Sequence, residues 1–426
     1  MAKSNQDKFH GWHSLIGAML TYGGISGTLT YAYGVFLPVM SQEFGWSRSF
    51  LSGPYTLLMM MGGFLGPLAG LAIGRFGVRK IVVFFNIIVV LGLLGLSRMT
   101  EPWQLYLFFG LMGGLGMGFA EYLSVTTIIN NWFVRHRSLA MGLLFASGGI
   151  AGFLFPPMIS CFISGAGWRM SWVFLAAIHL ILAVILAGIM IRNTPEELGQ
   201  VPDGAKKSLW PDRVGFLSTG TTYSTPVDWT LGEALRSPVL WLLIGIVSIV
   251  FFVSTLLSAH QVAYLLDLKY SPMVSASAFG LMLGTSIVGR VLSGVLGMRF
   301  SGRCLAMFFL ALMCLGVVFL IAAREIIFVY LYAIFVGIGM GGMIVLAPSL
   351  IGAYFGRTNY PRISGWTMPV ATVAFASAPV AAGYLYDITG TYLLPFGITA
   401  GLLFICVILA FFARPPQKKE LGNKSV

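Results

Sequence analysis

Gly70–Lys80 reads GLAIGRFGVRK and Gly294–Arg303 reads GVLGMRFSGR, the same run of small, apolar and basic residues set 224 positions apart. Two further pairs keep the same order. QEFGWSRS around Glu43 answers LDLKYSPM around Asp267, again at 224, and NNWFVRHR, with Phe133 and Arg135, answers GAYFGRTN, with Phe355 and Arg357, at 222. Apolar helices resemble one another by composition alone, but chance does not preserve order and spacing together. The chain is therefore read as a duplication, with the markers at matching places in each half.

What lies between the markers is strongly apolar. Of 426 residues, 57% are hydrophobic and 9% charged, whereas a soluble domain carries roughly a quarter charged residues. A water-soluble fold is excluded at this step, and length counts membrane spans. Apolar windows between Gly, Pro and charged breaks predict spans at 14–38, 50–74, 80–99, 103–132, 139–164 and 170–191, then at 239–265, 272–298, 303–322, 326–354, 363–386 and 392–413. The expected fold class is an all-α membrane protein with twelve transmembrane helices in two six-helix bundles. The first run, from about Leu15 to Met40, is too long for a signal-peptide core and is expected to remain as the first helix. Cys161, Cys304, Cys314 and Cys406 show no metal or disulfide spacing and are read as small core residues.

The 26 basic against 14 acidic residues raise the reading of nucleic-acid binding, but the placement argues for membrane topology. Five basic residues, Arg48, Arg98, Arg169, Lys269 and Arg324, fall in one set of alternate loops, Arg290 lies within a span, and the other 20 fall in the tails and the remaining loops. Basic residues near helix ends resist translocation, which puts both termini in the cytoplasm. Residues 193–237 form the long polar stretch, with NTPEELGQVPDG and a Ser/Thr/Gly-rich continuation, and read as a passive tether. The expected division is 1–192 for the first bundle, 193–237 for a cytoplasmic linker and 238–426 for the second bundle with a short tail. Six spans separate the copies, so both bundles share one orientation, a parallel repeat about the membrane normal. Two such bundles rock about a central site, which points to a carrier rather than an enzyme.

The loop after the second span, with Gly70, Arg75, Gly77, Arg79 and Lys80, resembles the signature loop of the major facilitator superfamily. WFVRHRSLAMG, Trp132 to Gly142, resembles the monocarboxylate transporter motif at the start of the fifth helix, with Arg135 and Arg137 as its basic cluster. GWR at Gly167 to Arg169, together with PEELG and PDG after the sixth span, is similar to bacterial members near the monocarboxylate and oxalate/formate branches. Gly74 and Met298 stand where the signature loop usually carries Asp, leaving its basic residues to meet helix C-termini or lipid phosphates. The resemblance implies the major facilitator fold, with a central cavity shared by the first, second, fourth and fifth helices of each half.

Two charged residues lie deep in apolar runs, Glu121 in the fourth span and Arg290 in the eighth. Burying either costs several kcal/mol unless it is paired or faces a wet cavity, so both are functional candidates. A guanidinium offers a rigid fork of donors to a carboxylate, which makes Arg290 the candidate anchor for an organic anion. SIVGR, ending at Arg290, also resembles the segment in which monocarboxylate transporters place their substrate arginine, and Ser286 replaces the acidic residue of many animal members. Glu121 is then the candidate proton site, because burial favours its neutral form and a nearby arginine its charged form. The bland alternative is a fixed Glu121–Arg290 bridge. Tyr122, Tyr31, Tyr332 and His260 are further candidates for contacting the anion, against their readings as interface-belt or local hydrogen-bonding residues.

The expected function is proton-coupled symport of a small monocarboxylate by a membrane-embedded monomer in the bacterial inner membrane, with no metal, cofactor or nucleic acid. Two rivals are weighed. An oxalate/formate-type antiporter would typically carry a lysine in the eleventh helix, and residues 365–387 contain none. An efflux carrier for amphipathic or cationic compounds would use Glu121 as cation receptor beside Met59 to Met61, and Arg290 argues against it.

Overall fold

The computed structural model describes residues 9–46, 48–204 and 223–417, so residues 205–222 of the expected linker lie outside the described residues. Every regular element among them is helical. Among the described residues nine helices are long and apolar enough to cross a membrane, or ten when Phe50–Phe64 and Gly66–Phe76, bent by 55°, count as one. The number twelve follows from two places where helices merge or break. Arg137–Met190 is two spans joined at Gly167, whose φ of +82° turns the chain back. The first span is Gly11–Ile25, a π-turn at Ser26–Tyr31, and Tyr33–Phe44. We number the spans in chain order. The second is the bent pair, the third Val78–Leu96, the fourth Pro102–Trp132, and the fifth and sixth the two parts of Arg137–Met190. The seventh to twelfth are Pro238–Asp267, Pro272–Leu296, Gly302–Ile321, Ile326–Phe355, Tyr360–Thr389 and Leu393–Phe412.

Backbone detail follows the duplication. Gly45 and Lys269, 224 apart, both have φ of +68° after the first and seventh spans. The repeat therefore reaches the turns as well as the helices.

Both described ends of the chain lie at one face: Phe9 stacks edge-on against Trp132 and Phe133, and Ser138 shares a cleft with Arg414. Toward this terminal face the halves meet along two seams of small residues, which permit close backbone approach. In the seam of spans two and eleven, a Cβ built on Gly365 would sit 2.4 Å from the Gly66 carbonyl oxygen, and one on Gly70 2.4 Å from that of Pro361. In the seam of spans five and eight, a Cβ on Gly142 would sit 2.8 Å from the Arg290 carbonyl oxygen, and one on Gly294 3.0 Å from that of Ser138. The core agrees. One continuous apolar cluster joins the last six spans to the terminal-side part of the first six, including Leu15, Ile73, Trp132 and Leu144. A separate cluster, with Phe36, Leu51, Phe109 and Trp172, belongs to the first six spans alone. The halves are thus closed against each other at the terminal face.

Two expectations are corrected here. Cys161 and Cys304 are exposed, and only Cys406 is fully buried, because an apolar run does not distinguish a helix face turned to lipid from one turned to protein. The described parts of the linker are also no passive tether. The Asp203 carboxylate accepts hydrogen bonds from the N–H groups of Val134, Arg135 and His136, at 3.0, 2.8 and 3.3 Å. The Asp228 carboxylate accepts from the N–H groups of Arg357 and Thr358, at 3.0 and 3.2 Å. These loops are the 222-offset pair, so each end of the linker caps the corresponding loop of one half.

Candidate functional site

Glu121 interrupts the fourth span. Its ψ of −112° separates Gly114–Ala120 from Tyr122–Trp132, and opposite it the first span widens into the π-turn Ser26–Tyr31. Such breaks free backbone groups and re-aim side chains, and they recur at binding sites. Here they bring Ser26 to Glu121: the Ser26 hydroxyl donates to the Glu121 carboxylate at 2.9 Å, and both side chains are buried.

Arg290 comes from the other half. It is 8% exposed, and one of its NH groups donates across the seam to the Phe145 carbonyl at 2.7 Å, while its Nε has no partner among the described residues. Gly149 leaves room for the guanidinium, since a Cβ there would lie 3.4 Å from it. Among the described residues no ion pair joins Arg290 to Glu121, so the fixed bridge is absent. Tyr22, one helical turn before Ser26, lies within electrostatic reach of both charges. Its ring meets Phe145 edge-on at 5.3 Å, and Tyr122 meets the same Phe145 at 5.6 Å. Phe145 is thus the hub, with its carbonyl on Arg290 and its ring between two tyrosines. Tyr122 also reaches the second half, beside Val247, Phe251 and Met343.

The other tyrosine and histidine candidates separate. Tyr31 is 37% exposed and its ring lies beside Gly152 of the fifth span, so it belongs to the same region. Tyr332 is fully buried within the last six spans, donating to Gln261 and lying 3.4 Å from the Met282 sulfur. His260 contacts the Tyr392 hydroxyl at 3.3 Å and the Pro379 carbonyl at 3.0 Å, all within the same half. These two serve local hydrogen bonding in this state.

The loop residues gather at the terminal face. Arg79 donates from Nε to the Gly188 carbonyl at 2.8 Å, and its N–H donates to the Asn193 side chain at 2.9 Å. Arg75 lies over the ring of Phe76, and Lys80 is exposed. The N–H of Arg135 is held by Asp203, whereas Arg137 is 5% exposed and donates to the Phe133 carbonyl at 3.3 Å. Arg357 joins the halves there: it pairs with Glu196 and donates to the Asn131 carbonyl at 3.4 Å. Partial burial pushes the Glu196 pKa up, but the hydrogen bond and charge of Arg357, together with hydrogen bonds from the Glu196 backbone and Thr194, outweigh it and hold the carboxyl below its ordinary value.

A buried polar cluster also escaped the sequence reading. His179 of the sixth span contacts the Thr28 hydroxyl at 3.0 Å and the Asn86 side chain at 2.9 Å, tying the π-turn to spans three and six. Asn86 donates to the Val82 carbonyl, which fixes its oxygen toward His179 Nε2 and makes that nitrogen the donor. The available signal is a histidine inside an apolar run, the reasoning already applied to Glu121. For Tyr22 no sequence signal exists.

A profile of the Major Facilitator Superfamily matches residues 16–324 and 261–425. The chain belongs to this superfamily. This major facilitator protein is 25% identical to monocarboxylate transporter 13 of Rattus norvegicus over 92% of its own length and 86% of the relative's. It is 26% identical to monocarboxylate transporter 6 of Homo sapiens over 97% and 82%, and 23% identical to an uncharacterized major facilitator transporter of Bacillus subtilis over 88% and 86%. Among solved structures it is similar to the proton:xylose symporter XylE, with TM-score 0.74 and 13% identity over 95% of each chain. It is also similar to the transporter FucP in its outward conformation, with TM-score 0.69 and 14% identity over 94% and 98%. The facilitator fold is thereby established, and the protein is an integral membrane secondary transporter of a small molecule rather than an enzyme.

Proposed function

We propose that this transporter is a proton-coupled symporter of a small monocarboxylate, lactate- or pyruvate-like, working by alternating access as a monomer in a bacterial plasma membrane with both termini cytoplasmic. The observation that carries this reading is Arg290, a buried cation between the halves with no carboxylate partner among the described residues. A substrate carboxylate would draw the guanidinium from the neutral Phe145 carbonyl into an ion pair in which the anion accepts through two oxygens, so that both partners of the contact are charged. Tyr22 and Tyr122, whose rings pack on Phe145, and Tyr31, beside Gly152, are the candidate hydroxyl donors to the anion. Glu121, held by one hydroxyl donor and lodged at a helix break, takes the accompanying proton, so anion and proton cross as a neutral pair. The monocarboxylate transporter relatives support the substrate class, and the uncompensated Arg290 disfavours a cationic cargo.

The test is uptake of a labelled carboxylate panel into proteoliposomes with and without an inward proton gradient. Losing a hydrogen-bonded charge contact worth about 1.5–3 kcal/mol should cut uptake by Arg290→Ala about 10- to 150-fold. Glu121→Gln should keep anion counterflow and lose accumulation driven by the gradient. Normal uptake by Arg290→Ala, or no uptake of any carboxylate by the native protein, rejects the anion reading.

A further inference from the structure

A cleft of about 630 Å³ opens at the terminal face of the second half, away from Glu121 and Arg290. Its volume falls in the range of small-molecule sites. Arg303, at the start of the ninth span, and Arg414, just past the twelfth, both line it, and among the described residues no acidic side chain does. The start of the ninth span adds to the positive character. The Ser301 hydroxyl accepts from the N–H of Cys304 at 3.4 Å and the Ser301 carbonyl from that of Leu305 at 3.1 Å, and Gly302, the first residue of the helix, lines the cleft beside them. Two guanidiniums, a helix N-terminus and hydroxyls in one concavity make a site for a multiply charged anion with oxygens in several directions.

The surroundings of the cleft narrow the class. Arg303 lies over the ring of Phe411, donates to its carbonyl at 3.3 Å, and Phe411 and Phe412 are both largely exposed apolar side chains beside it. An arginine at the edge of an exposed aromatic and aliphatic surface sits at the level of lipid phosphates. The Arg414 side chain has no hydrogen-bond partner among the described residues, so it is available to a ligand. We propose that this cleft binds an anionic phosphoryl group, brought either by an anionic phospholipid headgroup or by a soluble phosphate compound. Ser138 contributes to the wall from the first half, where a Cβ on Gly297 would lie 2.5 Å from its hydroxyl oxygen, so a bound ligand touches both halves beside the seam.

The experiment uses the purified full-length chain and reads binding, which is independent of the transported substrate. One arm compares retention of phosphatidylglycerol and phosphatidylcholine by native mass spectrometry. The other titrates inorganic phosphate and glycerol phosphate by calorimetry. Arg414→Gln, which removes no side-chain hydrogen bond among the described residues, and Arg303→Gln should each weaken binding about tenfold or more, while Arg299→Gln, an exposed arginine outside the cleft, should leave it unchanged. Binding confined to phosphatidylglycerol identifies the lipid source, and binding of the soluble phosphates identifies the other. Absence of binding in both arms, retention by both cleft variants, or an equal loss in Arg299→Gln overturns the proposal.

Discussion

Replacing Gly365 by alanine should prise the halves apart at the terminal face. The added Cβ would lie 2.4 Å from the Gly66 carbonyl oxygen and 3.0 Å from its carbon. Backbone cannot swing aside as a side chain does, so reaching an ordinary contact near 3.4 Å requires spans two and eleven to separate by about 1 Å. Overpacking of this kind costs about 1–3 kcal/mol, and the cost falls on the closed arrangement alone, because the seam does not exist once the halves part. The closed population should therefore drop about 5- to 150-fold relative to the open one. Spin labels at Lys80→Cys and Arg299→Cys, exposed residues of opposite halves, report the change as a longer distance component in electron–electron resonance. Gly66→Ala, whose Cβ would sit 2.5 Å from the Gly365 carbonyl oxygen, should act alike. Gly280→Ala in span eight, with nothing within 4 Å, controls for helix propensity and should leave the distances unchanged. An unaltered distance distribution in Gly365→Ala would refute the account of the seam as a contact that must open.

Three further outcomes follow from contacts described above. Asp203→Ala removes the acceptor for three backbone N–H groups and should lower stability by about 1–2 kcal/mol, read as a fall in thermal midpoint; Asp203→Asn should recover part of it. The Arg357–Glu196 pair is half exposed, so it contributes no more than about 1 kcal/mol, and Glu196→Gln should raise the open population about fivefold or less. Because the Glu196 pKa is depressed, that contribution is fully present above the ordinary value of 4.5 and fades as the pH falls through the lowered one, so the native distances should lengthen in acid, while Glu196→Gln, which lacks the pair at every pH, should not show that acid-dependent change. Tyr332→Phe should lower the thermal midpoint by leaving the buried Gln261 oxygen unpaired, while the uptake KM stays at the native value; a raised KM would return Tyr332 to the binding surface.

Much of the architecture was legible in the residues alone. Apolar runs of bilayer length and the 224- and 222-residue offsets are one-dimensional signals, because lipid requires each span to satisfy its own backbone and a duplication copies turns along with helices. The cost of burying charge likewise singled out Glu121 and Arg290 without coordinates. What depends on three dimensions is which faces meet. Nothing in the composition of an apolar helix says whether Cys161 faces lipid or protein, that Phe145 offers its carbonyl to Arg290, or that Tyr22 packs on the same Phe145. The roles of Asp203 and Asp228 also waited on the fold, since a polar linker reads as a tether until its carboxylates are seen on the loops they cap. Periodicity and charge determine that the helices cross the membrane and which residues are too costly to bury idly, whereas partners are chosen by helix rotation and close backbone approach, and both are properties of packing rather than of order along the chain.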